Sequence, residues 1–143
     1  MALIPDEKPL PVTGLRVLLA DDDSRCRSSL ASLLAADGFD THGVDSGQEV
    51  LHEINKPSFS VSPVHFLVLD YNMPDLTGLD VLRKVKNELG LRLPAILVSG
   101  EFSLALQRTV LEEGGFALVP KPVQPIPFRH LVWELVRREF GSS

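Results

Sequence analysis

The sequence predicts a doubly wound α/β fold: a five-stranded parallel sheet of order 2-1-3-4-5 with helices on both faces. Three observations carry this. Short apolar runs alternate strictly with segments of helical period, five of each. The runs are largely apolar along their length, as strands covered on both faces are. A polar group stands at the end of most of them: Asp21 after the first, Asp70 after the third, Ser99 closing the fourth and Lys121 after the fifth. Right-handed crossovers bring all such ends to one edge of the sheet. In this strand order the switch point lies between strands one and three, where open α/β sheets bind ligands.

Taken along the chain, residues 1–13 read as an extended arm or linker, because Pro5, Pro9 and Pro11 bar a helix. The domain follows at 14–140, and 141–143 form a short tail compatible with a cloning remnant. Strand one is 15–20. Helix one is 24–36, with Cys26, Leu30, Leu33 and Leu34 on one face and Gly38 as its stop. Strand two is 40–44. Helix two begins at Ser46, where Ser46-x-x-Glu49 forms a capping-box pattern, and turns Val50, Leu51 and Ile54 inward. Residues 57–63 are a serine- and proline-bearing loop. Strand three is 65–69. Helix three starts near Thr77, buries Leu79, Leu82, Val85 and Leu89, and closes at Gly90. Strand four is 95–99, helix four 103–113 and strand five 116–119. Helix five is 127–140, with Phe128, Leu131, Val132, Leu135 and Val136 as its apolar stripe.

Composition narrows the function. With 143 residues, 44% hydrophobic and 23% charged, the chain fits one globular domain with a real core. A net charge of -5 and no basic stripe argue against direct nucleic-acid binding. Arg137-Arg138 is read as a solvated helix end. No apolar run reaches the length of a membrane span, and the start does not read as a signal peptide. One cysteine, Cys26, forbids an internal disulfide and suits a reducing, cytoplasmic setting. His42, His52, His65 and His130 share no motif and are read as surface or packing residues.

The chemistry lies in the acids. If strands one and three are neighbours, carboxylates from Asp21, Asp22 and Asp70 meet in one crevice, and like charges so close call for a cation. Oxygen ligands suit a hard ion such as Mg²⁺. The run Asp21-Asp22-Asp23 has a second reading, as a helix cap that favours the dipole, and Asp23 fits that part. Lys121, between Pro120 and Pro122, supplies a positive charge for an anionic phosphoryl group, unless it is a plain surface lysine. Ser99 matters only if its hydroxyl faces Asp70.

Four blocks then resemble the receiver domain of two-component response regulators: Val17-Leu18-Leu19-Ala20-Asp21-Asp22-Asp23, Leu67-Val68-Leu69-Asp70-Tyr71-Asn72-Met73-Pro74-Asp75-Leu76-Thr77-Gly78, Leu97-Val98-Ser99-Gly100 and Lys121-Pro122. The resemblance covers about 15–140 and implies the flavodoxin-like receiver fold. It implies that Asp70 accepts a phosphoryl group from a sensor histidine kinase or phosphotransfer protein. It implies Mg²⁺ held by Asp22, Asp70 and the Asn72 carbonyl, with Asp21 acting through water. Ser99 and Lys121 bind phosphoryl oxygens, Asn72 and Glu101 flank the hydrolytic water, and Lys121-Pro122 is cis. On this reading the chain is not an ordinary enzyme; it phosphorylates and dephosphorylates itself with Mg²⁺ and switches an unknown output domain or protein. Helix one forms the kinase-docking face. The family's aromatic switch position holds Leu118, and Val123 stands where an aromatic often follows Lys-Pro. That leaves backbone shifts over 99–103 as the expected output route, and a binding-only pseudo-receiver as one alternative. A phosphatase of the haloacid-dehalogenase type is the other: Asp21-x-Asp23 fits its motif, but Arg25 does not.

Overall fold

In the computed structural model, which describes residues 14–141, five strands pair in parallel in the order β2-β1-β3-β4-β5. They are β1 (Arg16–Ala20), β2 (Asp40–Val44), β3 (Phe66–Asp70), β4 (Ala95–Ser99) and β5 (Ala117–Pro120). The helices are α1 (Ser24–Ala36), α2 (Gly47–Asn55), α3 (Gly78–Asn87), α4 (Leu104–Glu112) and α5 (Pro125–Phe140). The arm at 1–13 and the last two residues of the tail lie outside the described residues.

Period-two alternation splits the strands between two cores. Val17, Leu19, Phe66, Val68, Ile96, Val98 and Val119 face α1 and α5, where Leu30, Leu34, Phe128 and Trp133 close over them. Leu18, Ala20, Leu67, Leu69, Leu97 and Leu118 face α2, α3 and α4, against Val50, Leu79, Val81, Leu82 and Val110. Each buried aliphatic side chain contributes about 1.5–3 kcal/mol, so the doubly covered sheet fixes strand register firmly. That register sets which groups share the carboxyl edge: Asp70 pairs with Val98, and Ser99 with Pro120.

Several expected boundaries shift by one or two residues. β3 runs through Asp70 and starts at Phe66, because His65 lies outside the strand and its Nδ1 accepts the Arg16 N–H at 2.8 Å. β5 ends on Pro120; its missing donor is tolerated at the end of an edge strand. α5 starts at Pro125, two residues early, since first-turn N–H groups lack intrahelical partners and prolines fit there. α3 ends at Asn87, and Leu89 lies past it with its N–H on the Lys84 carbonyl. Of the expected inward residues, Cys26, Leu33, Leu51, Leu89 and Leu131 are half-buried, whereas Val81 and Trp133, not anticipated, are fully buried. The 57–63 loop contains a 3-10 turn, Pro57–Ser60. Ser46 caps α2 through the Glu49 N–H, and Thr77 forms a full capping box with Asp80.

Candidate functional site

β1 and β3 end side by side, and their acids converge. Asp21, Asp22 and Asp70 each present an oxygen within 4.8 Å of the others. Asp21 is fully buried, Asp70 is 5% exposed and Asp22 is open to solvent. Continuing the alternation of each strand, Asp21 and Asp70 fall on the α1–α5 side with Lys121. Contacts agree: the Lys121 ammonium lies 3.1 Å from Asp21 Oδ2 and 3.2 Å from Asp70 Oδ1. Its backbone N–H donates to the Ser99 carbonyl at 2.8 Å, tying β5 to β4 at the same edge. The Lys121-Pro122 bond is cis.

The turn after β3 is equally fixed. Tyr71 N–H donates to Val98 at 2.7 Å, and Gly78 N–H donates to the Tyr71 carbonyl at 2.8 Å. A Cβ on Gly78 would lie 2.7 Å from the Asp70 carbonyl, so only glycine permits this approach to α3. The Asn72 N–H points to Asp70 Oδ1 at 3.4 Å. Ser99 is fully buried; its hydroxyl oxygen accepts the Glu101 N–H at 3.0 Å.

The two readings of the acidic run divide between its residues. Asp23 is the α1 cap, accepting from Arg25 and Cys26 N–H, and those bonds hold its carboxyl below the usual range. Its carboxylate is spent on the helix, which removes the second acid a dehalogenase-type motif would need. Asp21 instead turns into the crevice, with Oδ1 accepting the Asp23 N–H at 2.9 Å.

Charge in the crevice does not balance. Among the described residues, three carboxylates gather beside the Lys121 ammonium. Burial pushes the Asp70 carboxyl up to about 6, the charge of Asp21 adds to this, and Lys121 opposes it. Burial alone would lower the Lys121 ammonium, but the bonds and charges of Asp21 and Asp70 outweigh it and raise its pKa. An all-oxygen donor set with surplus negative charge fits a hard divalent cation.

Two participants escaped the sequence reading. Arg27 reaches back across β2 and donates to the Asp21 carbonyl at 2.6 Å. Gly43 leaves room for it, since a Cβ there would sit 3.3 Å from Arg27 Cδ. Cys26 lies near enough to Asp21 for that carboxylate to help push its thiol up. Neither contact has a local sequence signal, because both depend on how α1 lies on β2. Among the histidines, His42 pairs with Glu53 at 2.8 Å and His65 with the Arg16 backbone, away from the crevice.

Beside the crevice lies an open groove of about 930 Å³ between α1 and the turn from β5 to α5. Cys26, Leu30, Leu33, Pro122 and Val123 line it, with Lys121 at its rim. Leu118 is buried in the second core and does not reach this face. Among the described residues, no helix is long and apolar enough to cross a membrane.

Comparison with known proteins gives a consistent picture. A family model described as the response regulator receiver domain matches residues 17–132. A two-component response regulator of rice, ORR3, is 34% identical over 119 residues, covering 82% of this chain and 88% of its own. The response regulator TodT of Pseudomonas putida is 30% identical over 128 residues, with 84% of this chain and 53% of its own covered. A CheY-like receiver domain from Methanospirillum hungatei superposes with a TM-score of 0.75 at 25% identity, covering 87% of this chain and 95% of that one. A Borrelia burgdorferi CheX–CheY–BeF3–Mg complex matches with a TM-score of 0.76 at 20% identity, over 85% and 88% of the two chains, a likeness of fold alone.

Proposed function

The chain belongs to the response regulator receiver family and is a phosphoacceptor signalling domain; from that premise we propose that Asp70 is its phosphoacceptor, with Asp21, Asp22, Ser99 and Lys121 completing the site. One observation carries this reading: the carboxylates of Asp21, Asp22 and Asp70 lie with oxygens within 4.8 Å of one another, and Lys121 bridges two of them.

Phosphoryl transfer asks for positioning and charge neutralisation more than covalent help. Asp70 Oδ attacks phosphorus; a P–O bond forms as the P–N bond to a donor histidine breaks, and the imidazole leaves and is reprotonated. At neutral pH the Asp70 carboxyl, even raised to about 6, is mostly the anion this step needs. Lys121 already stands 3.2 Å from the acceptor and meets a phosphoryl oxygen without moving far. Ser99 keeps its hydroxyl proton free to donate to a second oxygen, since the oxygen itself accepts from Glu101. Hydrolysis reverses the bond, with water attacking phosphorus past Asn72 and Glu101.

Asp22, Asp70 and the Asn72 carbonyl would hold Mg²⁺, with Asp21 behind a water. When bound, the ion supplies the positive charge that the crevice lacks. We assign the donor as a sensor histidine kinase or phosphotransfer protein of the cytoplasm, docking on α1 and the apolar groove beside it. With Leu118 in the switch position, the loop at 99–103 carries the output.

The test is incubation with Mg²⁺ and acetyl phosphate, followed by intact mass. The expected result is a single phosphoryl adduct that Asp70→Asn loses. Wild-type protein that forms no adduct sinks the proposal and favours a binding-only domain; steady turnover of phosphate monoesters would make it a phosphatase.

A further inference from the structure

The loop after β3 must hold still for Asn72 to offer its carbonyl to a cation, and its ends are fixed by Tyr71 and Gly78. Its middle is fastened to a different element. Asp75 Oδ1 accepts the Gly47 N–H at 3.0 Å and Oδ2 accepts the Gln48 N–H at 2.8 Å. The same carboxylate accepts its neighbour's Leu76 N–H at 2.8 Å. Gly47 and Gln48 are the first two residues of α2, whose own cap, Ser46, takes only the Glu49 N–H. One side chain of the phosphoacceptor turn therefore completes the N-terminus of a helix 28 residues earlier, where the dipole favours an anion.

Packing reinforces the tether. A Cβ on Gly47 would lie 2.8 Å from Leu76 Cβ and 2.9 Å from Val81 Cγ2, so α2 and the turn touch with no space between them. Met73, in the same turn, is buried in the α2–α3 core.

We propose that Asp75 is a positioning residue for the cation site, holding the turn against α2 so that Asn72 faces Asp22 and Asp70. This rests on the cation reading above. Linkage makes the effect reciprocal: whatever α2 contributes to Mg²⁺ binding, Mg²⁺ returns as protection of α2's first amides.

The experiment measures Mg²⁺ affinity by amide-resonance titration in wild type, Asp75→Asn and Ser46→Ala. Asn matches Asp in size but offers a single acceptor oxygen. Asp75→Asn is expected to weaken Mg²⁺ binding about tenfold, the lower end for residues behind a metal ligand. Ser46→Ala frays the same helix without touching the turn, and its Mg²⁺ affinity is expected to equal wild type. In wild type, Mg²⁺ slows hydrogen exchange at Gly47 and Gln48; in Asp75→Asn it does not. Unchanged Mg²⁺ affinity in Asp75→Asn, or an equal loss in Ser46→Ala, overturns the role of Asp75 and leaves the cation site standing. A wild type that binds no Mg²⁺ overturns both together.

Discussion

Asp37 and Asp70 are both buried aspartates facing a cation, in different regions of the molecule. Asp37 caps the end of α1 and receives the Arg129 guanidinium in two bonds of 2.8 Å. Such fork geometry fixes the guanidinium in a planar, bidentate hold and braces α1 against α5. At the carboxyl edge, Asp70 shares Lys121 with Asp21, while Asp22 stands beside them. Both regions set a similarly buried aspartate against a basic side chain, and the crowding of carboxylates around Lys121 separates them. The bidentate brace is architecture; a surplus of carboxylates asks for a cation or a phosphoryl group's partners.

Breaking the Asp37–Arg129 brace gives the largest expected effect. Asp37→Ala removes the carboxylate opposite a mostly buried guanidinium and should cost about 3 kcal/mol, read from urea unfolding. Mg²⁺ affinity should stay at the wild-type value. A cost below about 0.5 kcal/mol would mean the brace behaves like an exposed ion pair, and the contrast would fail.

The crowded cleft should respond with the opposite sign. A carboxyl raised from 3.8 to about 6 binds its proton more tightly folded than unfolded. Above that value its ionised form destabilises the fold, and the penalty fades as pH falls through 6 toward 4. The full shift corresponds to about 3 kcal/mol, which solvent and local relaxation reduce to about 1–2. Metal-free Asp70→Asn should thus be more stable than wild type by about 1–2 kcal/mol near pH 7.5, converging with it near pH 4. Mg²⁺ should stabilise wild type much more than the variant. A variant less stable near pH 7.5 would show that Lys121 already balances the cleft.

The sequence revealed the crowded region better than the Asp37–Arg129 brace, for a physical reason. Strand ends, the acids on them and the glycine at 78 follow from local patterning and from the one edge that parallel topology allows. Sheet order and all five helices were legible in the same way. Asp37 and Arg129 lie 92 residues apart on helices whose relative rotation is set by packing, so nothing in the chain announces their meeting. Arg27 on the Asp21 carbonyl and Asp75 on α2 belong to the same class: backbone partners chosen by tertiary contact. The one-residue shift of β3 has the same origin, since the His65 ring takes the backbone N–H of Arg16, 49 residues earlier, at the point where the strand begins.

Cys26 offers the finest test, because it stands at the edge of the crowded region. It sits in the first turn of α1, a place that usually lowers a thiol's pKa. Here burial pushes it up to about 12, and the nearby Asp21 carboxylate adds to the rise, with Lys121 opposing. Iodoacetamide near pH 8 should therefore alkylate the folded protein more than about tenfold slower than the unfolded chain, since the thiolate is the nucleophile. Asp21→Asn should restore only about a few-fold of that rate, because burial, the leading cause, remains. Saturating Mg²⁺ should move the wild type in the same direction by drawing the cleft's negative charge to itself. Equal rates in wild type and Asp21→Asn would mean that the α1 packing alone silences the thiol, and that the crowded charge does not reach beyond its own carboxylates.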